Sequence, residues 1–138
     1  MTVKYGTFII TALSIWLVVL VTYQCYIYLP SDDCYHEIKA KADELRTPDK
    51  IHKYLWTNIT YEETWFPVPI RKFWKTRIGD CVEVSNIEYI MLKELGFEVR
   101  KNSGTINGEH HQFVMYKLDG EWVYLDNKNI ENIGRAKW

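Results

Sequence analysis

Cysteine is scarce in this chain. Only Cys25, Cys34 and Cys81 occur among 138 residues, and no two form a Cys-x-x-Cys pair. An odd count without paired spacing argues against a disulfide framework and leaves at least one free thiol. Net charge is nearly absent too: 17 Lys and Arg offset 18 Asp and Glu, a balance of −1. A nucleic-acid partner is not indicated, because such binders gather a basic excess on one face. No segment of 20–50 residues repeats, so a repeat array is excluded. What remains is a globular inventory, 47% hydrophobic and 15% aromatic, of a size that fits one compact domain.

Charge is missing altogether from Thr7 to Leu29, "TFIITALSIWLVVLVTYQCYIYL". As a helix this stretch spans roughly 35 Å, enough for a hydrocarbon core of about 30 Å. Tyr23, Tyr26 and Tyr28 cluster at its end, where an aromatic belt sits. A cleaved signal peptide fits less well, since the apolar run is long and no small-x-small site follows. Bulky Tyr23 and Gln24 before Cys25 speak against a lipoprotein site. The reading is a single-pass anchor in residues 1–30 and a soluble domain in 31–138. Lys4 lies before the span and Lys39, Lys41 and Arg46 after it, so basic residues do not decide orientation. A short N-terminal tail followed by a domain favours an extracytoplasmic domain.

Beyond Pro30, Ser31 is placed to cap a helix whose stripe is Tyr35, Ile38, Ala42 and Leu45. Thr47-Pro48 starts another, with Ile51, Tyr54 and Leu55 on one face. Two prolines make Trp65–Ile70, "WFPVPI", an extended loop. A helix from Cys81 to Leu95, with the stripe Val84, Ile87, Met91 and Leu95, stops at Gly96. Three strands follow: Phe97–Lys101, His111–Leu118 and Trp122–Asp126. Helices first and an antiparallel sheet after them make an α+β domain.

Asp119-Gly120 between two alternating runs signals a two-residue hairpin turn. That turn pairs Leu118 with Glu121, Met115 with Tyr124 and Phe113 with Asp126. Alternation then puts His111, Phe113 and Met115 on one face with Trp122, Tyr124 and Asp126, while His110 points to the other. His111 becomes the diagonal neighbour of Asp126. Cys81 opens its helix, where unsatisfied N–H groups and the positive end of the dipole favour a thiolate. These residues suit a nucleophile, a base and an orienting carboxylate, in the order Cys81, His111, Asp126. Taken singly each has a plainer reading. Cys81 would be a buried small hydrophobe, and His111 a structural or solvated strand residue. Asp126 would cap a turn with Asn127. Asp80 would be an N-cap with Glu83 as box partner, bringing negative charge near the thiol. A metal site from Cys81, His110 and His111 is disfavoured, because alternation sends the two histidines to opposite faces. Asn58-Ile-Thr is a glycosylation sequon only in a eukaryotic secretory pathway.

"GDCVEVSNIEYIMLKELGFEVR", "HQFVMY" and "GEWVYLD" resemble the core of the transglutaminase-like superfamily, a variant of the papain-like cysteine-hydrolase fold. Gly79 and Cys81 match its Gly-x-Cys, and Leu95-Gly96 its helix end. His111, Phe113 and Val114 match His-x-aromatic-Val, and Trp122, Val123 and Asp126 match Trp-Val-x-x-Asp. The resemblance covers roughly Ile51 to Lys128, and departs where the family often has proline and this chain has Asn127. It implies a Cys-bearing helix on a small antiparallel sheet, a Cys81-His111-Asp126 triad, and no cofactor or metal. The oxyanion donors it suggests are the Cys81 backbone N–H and, by position, Trp74. The implied function is a membrane-anchored thiol enzyme that acts on the amide bonds of a peptide or protein, by hydrolysis or acyl transfer. The alternative is a catalytically silent, membrane-anchored interaction module on the same fold, such as a phage-type immunity factor or one that binds an envelope protein.

Overall fold

The computed structural model describes residues 3–106, 108–125 and 131–134, with side chains for 9–106 and 108–125. Five helices are found among them: α1 (Val3–Tyr28), α2 (Asp32–Leu45), α3 (Pro48–Thr57), α4 (Ile70–Thr76) and α5 (Cys81–Glu94). Two-residue strands β1 (Thr60–Tyr61) and β2 (Ile78–Gly79) form a short parallel pair. The main sheet holds β3 (Val99–Ile106), β4 (Glu109–Leu118), β5 (Glu121–Tyr124) and β6 (Glu131–Gly134), antiparallel in the order β5-β4-β3-β6.

Helix α1 is exposed from residue 9 to 26 and is long and apolar enough to cross a membrane. Among the described residues, its last turn engages the domain. Ile27 is buried there, and the Arg71 guanidinium lies 3.9 Å over the Tyr26 ring.

Helix α5 is the central element, packed between α2, α3 and α4 on one side and the sheet on the other. Val84, Ile87, Met91 and Leu92 are fully buried along it. They meet Ile38 and Ala42 of α2, Ile51 and Leu55 of α3, Phe73 and Trp74 of α4, and Val114 and Tyr116 of β4. Each large apolar side chain so buried contributes about 1.5–3 kcal/mol. Tyr35 and Lys39 of α2 both donate to the Glu94 carboxylate, which ties α2 to the far end of α5.

The expected helices occupy α2, α3 and α5; of the expected stripes Ile38, Ala42, Ile51, Leu55, Val84, Ile87 and Met91 are buried, and Tyr35, Leu45, Tyr54 and Leu95 are half-buried. The Asp119-Gly120 hairpin has the expected register, with Leu118 opposite Glu121 and Met115 opposite Tyr124. Both turn residues take positive φ, 52° and 89°, as a type I′ turn requires.

Other elements differ from expectation. The extended "WFPVPI" loop ends at Pro69, and α4 starts at Ile70, one residue inside the stretch expected to be loop. Strand β3 runs to Ile106 through Asn102, Ser103 and Gly104, residues with little strand propensity. Cross-strand pairing with β4 holds them extended: Gly104 faces His111 and Asn102 faces Phe113. Strand β4 correspondingly begins two residues early, at Glu109. A fourth strand, β6, covers the other edge of β3.

Candidate active site

The segment entering α5 is locked at each residue. A Cβ on Gly79 would lie 2.8 Å from the Phe73 ring and 3.0 Å from Glu83 Oε2, so only glycine fits there. Asp80 is the N-cap, its Oδ1 accepting from the Val82 N–H at 2.8 Å. Glu83 completes the capping box: Oε2 accepts from the Asp80 N–H at 3.0 Å. Its other oxygen accepts from the Val68 N–H at 2.8 Å, and Asp80 Oδ2 accepts from the N–H and hydroxyl of Thr64. Both carboxylates therefore staple the 64–68 loop to the helix tip. Glu83 is 1% exposed, and burial holds its carboxyl above the usual carboxylate range despite the two N–H donors.

Cys81 is the first residue of α5 and is 6% exposed. Its Sγ accepts from the Gln112 N–H of β4 at 3.4 Å. The sheet explains why that N–H is available. Val114 accepts from the Leu125 N–H, so its polar groups point toward β5. Two residues back, Gln112 points the same way. The Cys81 sulfur meets the Gln112 N–H on that side of β4. One turn along α5, the Ser85 hydroxyl accepts from the Gln112 side-chain amide at 2.7 Å, a second tie between helix tip and strand.

His111 immediately precedes Gln112. It is 7% exposed, whereas His110 is exposed. The two histidines thus diverge as alternation requires. The His111 ring stacks with Phe113 at 6.4 Å and 9°, and it lies 6.4 Å from the Trp56 ring. Trp56 in turn stacks on Tyr61 at 6.2 Å and 18°. The His111, Trp56 and Tyr61 rings, together with Glu63, Ile106, Glu109 and His110, line an open cleft of about 340 Å³. Burial, then the neighbouring Cys81, Asp80, Glu63 and Glu109, raise the Tyr61 phenol above its ordinary pKa.

Asp126 and Asn127 lie outside the described residues. The chain is followed as far as Leu125, buried and bonded to Val114, one residue short of that carboxylate. Trp74 is buried in the core, and its indole N–H donates to Glu37 of α2 at 2.9 Å. That bond engages the group offered as an oxyanion donor, because an indole has one N–H. Among the described residues no three His, Cys, Asp or Glu side chains cluster as metal ligands. Trp56 and Tyr61 were not foreseen as cleft residues. Trp56 falls just off the apolar stripe of α3, and Tyr61 sits in a two-residue strand too short to show a period.

The model of the transglutaminase-like superfamily matches residues 33–127. The chain belongs to the transglutaminase-like superfamily. The match opens in α2, well upstream of the three motifs that carried the resemblance. Solved structures agree at the level of the fold. A protein of Cytophaga hutchinsonii provisionally assigned as a cysteine protease superposes with a TM-score of 0.59 at 13% identity, over 78% of this chain and 44% of its own. A provisionally assigned protease from Parabacteroides distasonis gives 0.55 at 15%, over 67% and 23%. The periplasmic domain of TgpA from Pseudomonas aeruginosa, bound to ethylmercury, gives 0.50 at 21%, over 67% and 43%. The chain spans less than half the length of each. No curated protein matches its sequence significantly. Within the superfamily fold, Gly79 and Cys81 sit at the helix tip, and His111 lies in the strand against it.

Proposed function

We propose that this transglutaminase-like protein is a membrane-anchored thiol enzyme that cleaves or transfers acyl groups at amide bonds of a peptide or protein. The observation that carries the reading is the Gln112 N–H bonded to Cys81 Sγ, which supports pairing the helix-tip sulfur with the adjacent His111. In this mechanism Cys81 attacks the amide carbonyl carbon while His111 takes the thiol proton. The tetrahedral oxyanion is met by the Cys81 backbone N–H, which has no helical carbonyl partner in the first turn. His111 then gives the proton to the leaving amine and a thioester remains. Water or a second amine attacks it, loses its proton to His111, and releases the acyl product with the thiol restored. Asp126 is assigned the orienting role, holding the imidazole tautomer. The stacked Trp56 and Tyr61 rings would bound the substrate cleft. The apolar helix would hold the domain at a membrane, on its extracytoplasmic side.

The test is turnover of fluorogenic amide substrates by Cys81→Ala, His111→Ala, His110→Ala and Asp126→Asn, with circular dichroism as a folding control. Cys81→Ala should be inactive. His111→Ala should lose on the order of 10²–10⁴ in kcat, and Asp126→Asn somewhat less. His110→Ala, on the open rim of the cleft, should raise KM with kcat nearly unchanged. If His110→Ala were the inactive variant, the assignment of the base would fall.

The second reading, a silent membrane-anchored interaction module, is favoured by one feature. Trp65 and Phe66 are 98% and 78% exposed on the loop stapled beside Cys81. An exposed aromatic pair of this kind marks an interaction surface. Wild-type protein that turns over no amide but loses a partner on Trp65→Ala and Phe66→Ala would decide for that reading.

A further inference from the structure

Helix α4 carries its charge on one side. Ile70, Phe73 and Trp74 are buried, and Arg71, Lys72 and Lys75 are exposed opposite them. These three cations, with Tyr26, Ser31 and Thr76, line an open cavity of about 540 Å³ that has no carboxylate in its wall. Among the described residues, none of the three forms an ion pair or a side-chain hydrogen bond. Close by in sequence and fold, Glu37 of α2 accepts from the Trp74 indole N–H, and Asp32 lines the neighbouring cavity with Lys101. The Ser31 hydroxyl makes no capping bond to α2. The cavity lies at the mouth of the apolar helix, because Arg71 stacks 3.9 Å over Tyr26 in the last turns of α1.

We propose that this cavity binds the phosphate headgroup of an anionic phospholipid, with the acyl chains running alongside α1. The proposal rests on α1 being a membrane anchor. Three cations outside any ion pair among the described residues, beside the Ser31 hydroxyl, match a phosphodiester, and the adjoining apolar helix selects a lipid over a soluble anion. Each such cation near a membrane surface strengthens attraction to anionic lipid about fivefold. Bound headgroup would also fix how the domain stands on the membrane, and with it the direction in which the His111 cleft opens.

The full-length chain would be reconstituted into nanodiscs of phosphatidylcholine alone or with phosphatidylglycerol, and lysine acylation followed by peptide mass spectrometry. Lys72 and Lys75 should react about fivefold more slowly in the anionic discs. Lys50 and Lys53, exposed on α3, should be unchanged. Arg71→Gln should remove most of the difference, and Arg71→Lys should keep it. Equal labelling of Lys72 and Lys75 in both discs overturns the proposal, as does equal slowing of Lys50 and Lys53. Protection by inorganic phosphate in phosphatidylcholine discs would overturn the lipid as occupant. A chain that does not enter either disc refutes the anchor, which separates that failure from failure of the headgroup site.

Discussion

Three neighbouring positions show how residue type is dictated around the candidate nucleophile. Gly79 is required by contact, since any side chain would strike Phe73. Asp80 is required by the orphan N–H groups of a helix start. Cys81 follows as the first residue of the helix, and its sulfur accepts from the Gln112 N–H. The other buried thiol is different. Cys34 packs in the core of α2, where burial and then Glu37 raise its pKa above that of an ordinary thiol. Iodoacetamide at neutral pH should therefore alkylate Cys81 faster than Cys34, by on the order of tenfold. Peptide mapping keeps Cys25 separate. Equal, slow labelling of both would count against a reactive thiol at the helix tip.

At the scale of the element, α5 depends on Glu83 for more than a capping box. Its buried carboxylate accepts from Asp80 and also from Val68, so the 64–68 loop is anchored through one side chain. Glu83→Ala strands two N–H groups and should lower stability by about 1–3 kcal/mol, read from urea unfolding. An unchanged midpoint would show that the staple contributes nothing. The pH dependence has a definite sign. The folded carboxyl sits above the usual carboxylate value, so the unfolded chain releases this proton first. Stability from this group is fully present below the unfolded value and is lost as pH rises through the folded one. Glu83→Gln should flatten the curve over that window.

For the whole molecule, the central question is how the domain meets α1. The helix is exposed from residue 9 to 26 and then docks by Ile27, with Tyr26 under Arg71 and Tyr28 beside Lys101. Such a junction would transmit the position of the helix to the domain as one piece. If α1 crosses a bilayer, the chain should stay in the membrane pellet under alkaline carbonate, and deletion of residues 1–30 should release it. Extraction of the intact chain into the supernatant would refute the anchor.

Much of this organisation was legible along the chain because it rests on local periodicity. The apolar run, the stripes of α2, α3 and α5, the Gly96 stop and the Asp119-Gly120 turn are short-range signals, and a two-residue turn carries its register with it. Burial of His111 and exposure of His110 follow from that register alone. Helix α4, the β1–β2 pair, β6 and the far half of β3 were not legible. Asn102, Ser103 and Gly104 have little strand propensity and lie beyond the expected strand end, and they are strand because β4 supplies their cross-strand partners. The same holds for the site. Order, hairpin register, a shared sheet face and the family motifs proposed Cys81 and His111, but the tertiary structure decided that the sulfur meets the Gln112 N–H, that Trp56 and Tyr61 wall the cleft, and that the Trp74 N–H serves Glu37. Those outcomes depend on which elements meet in space, and no spacing along one chain encodes them.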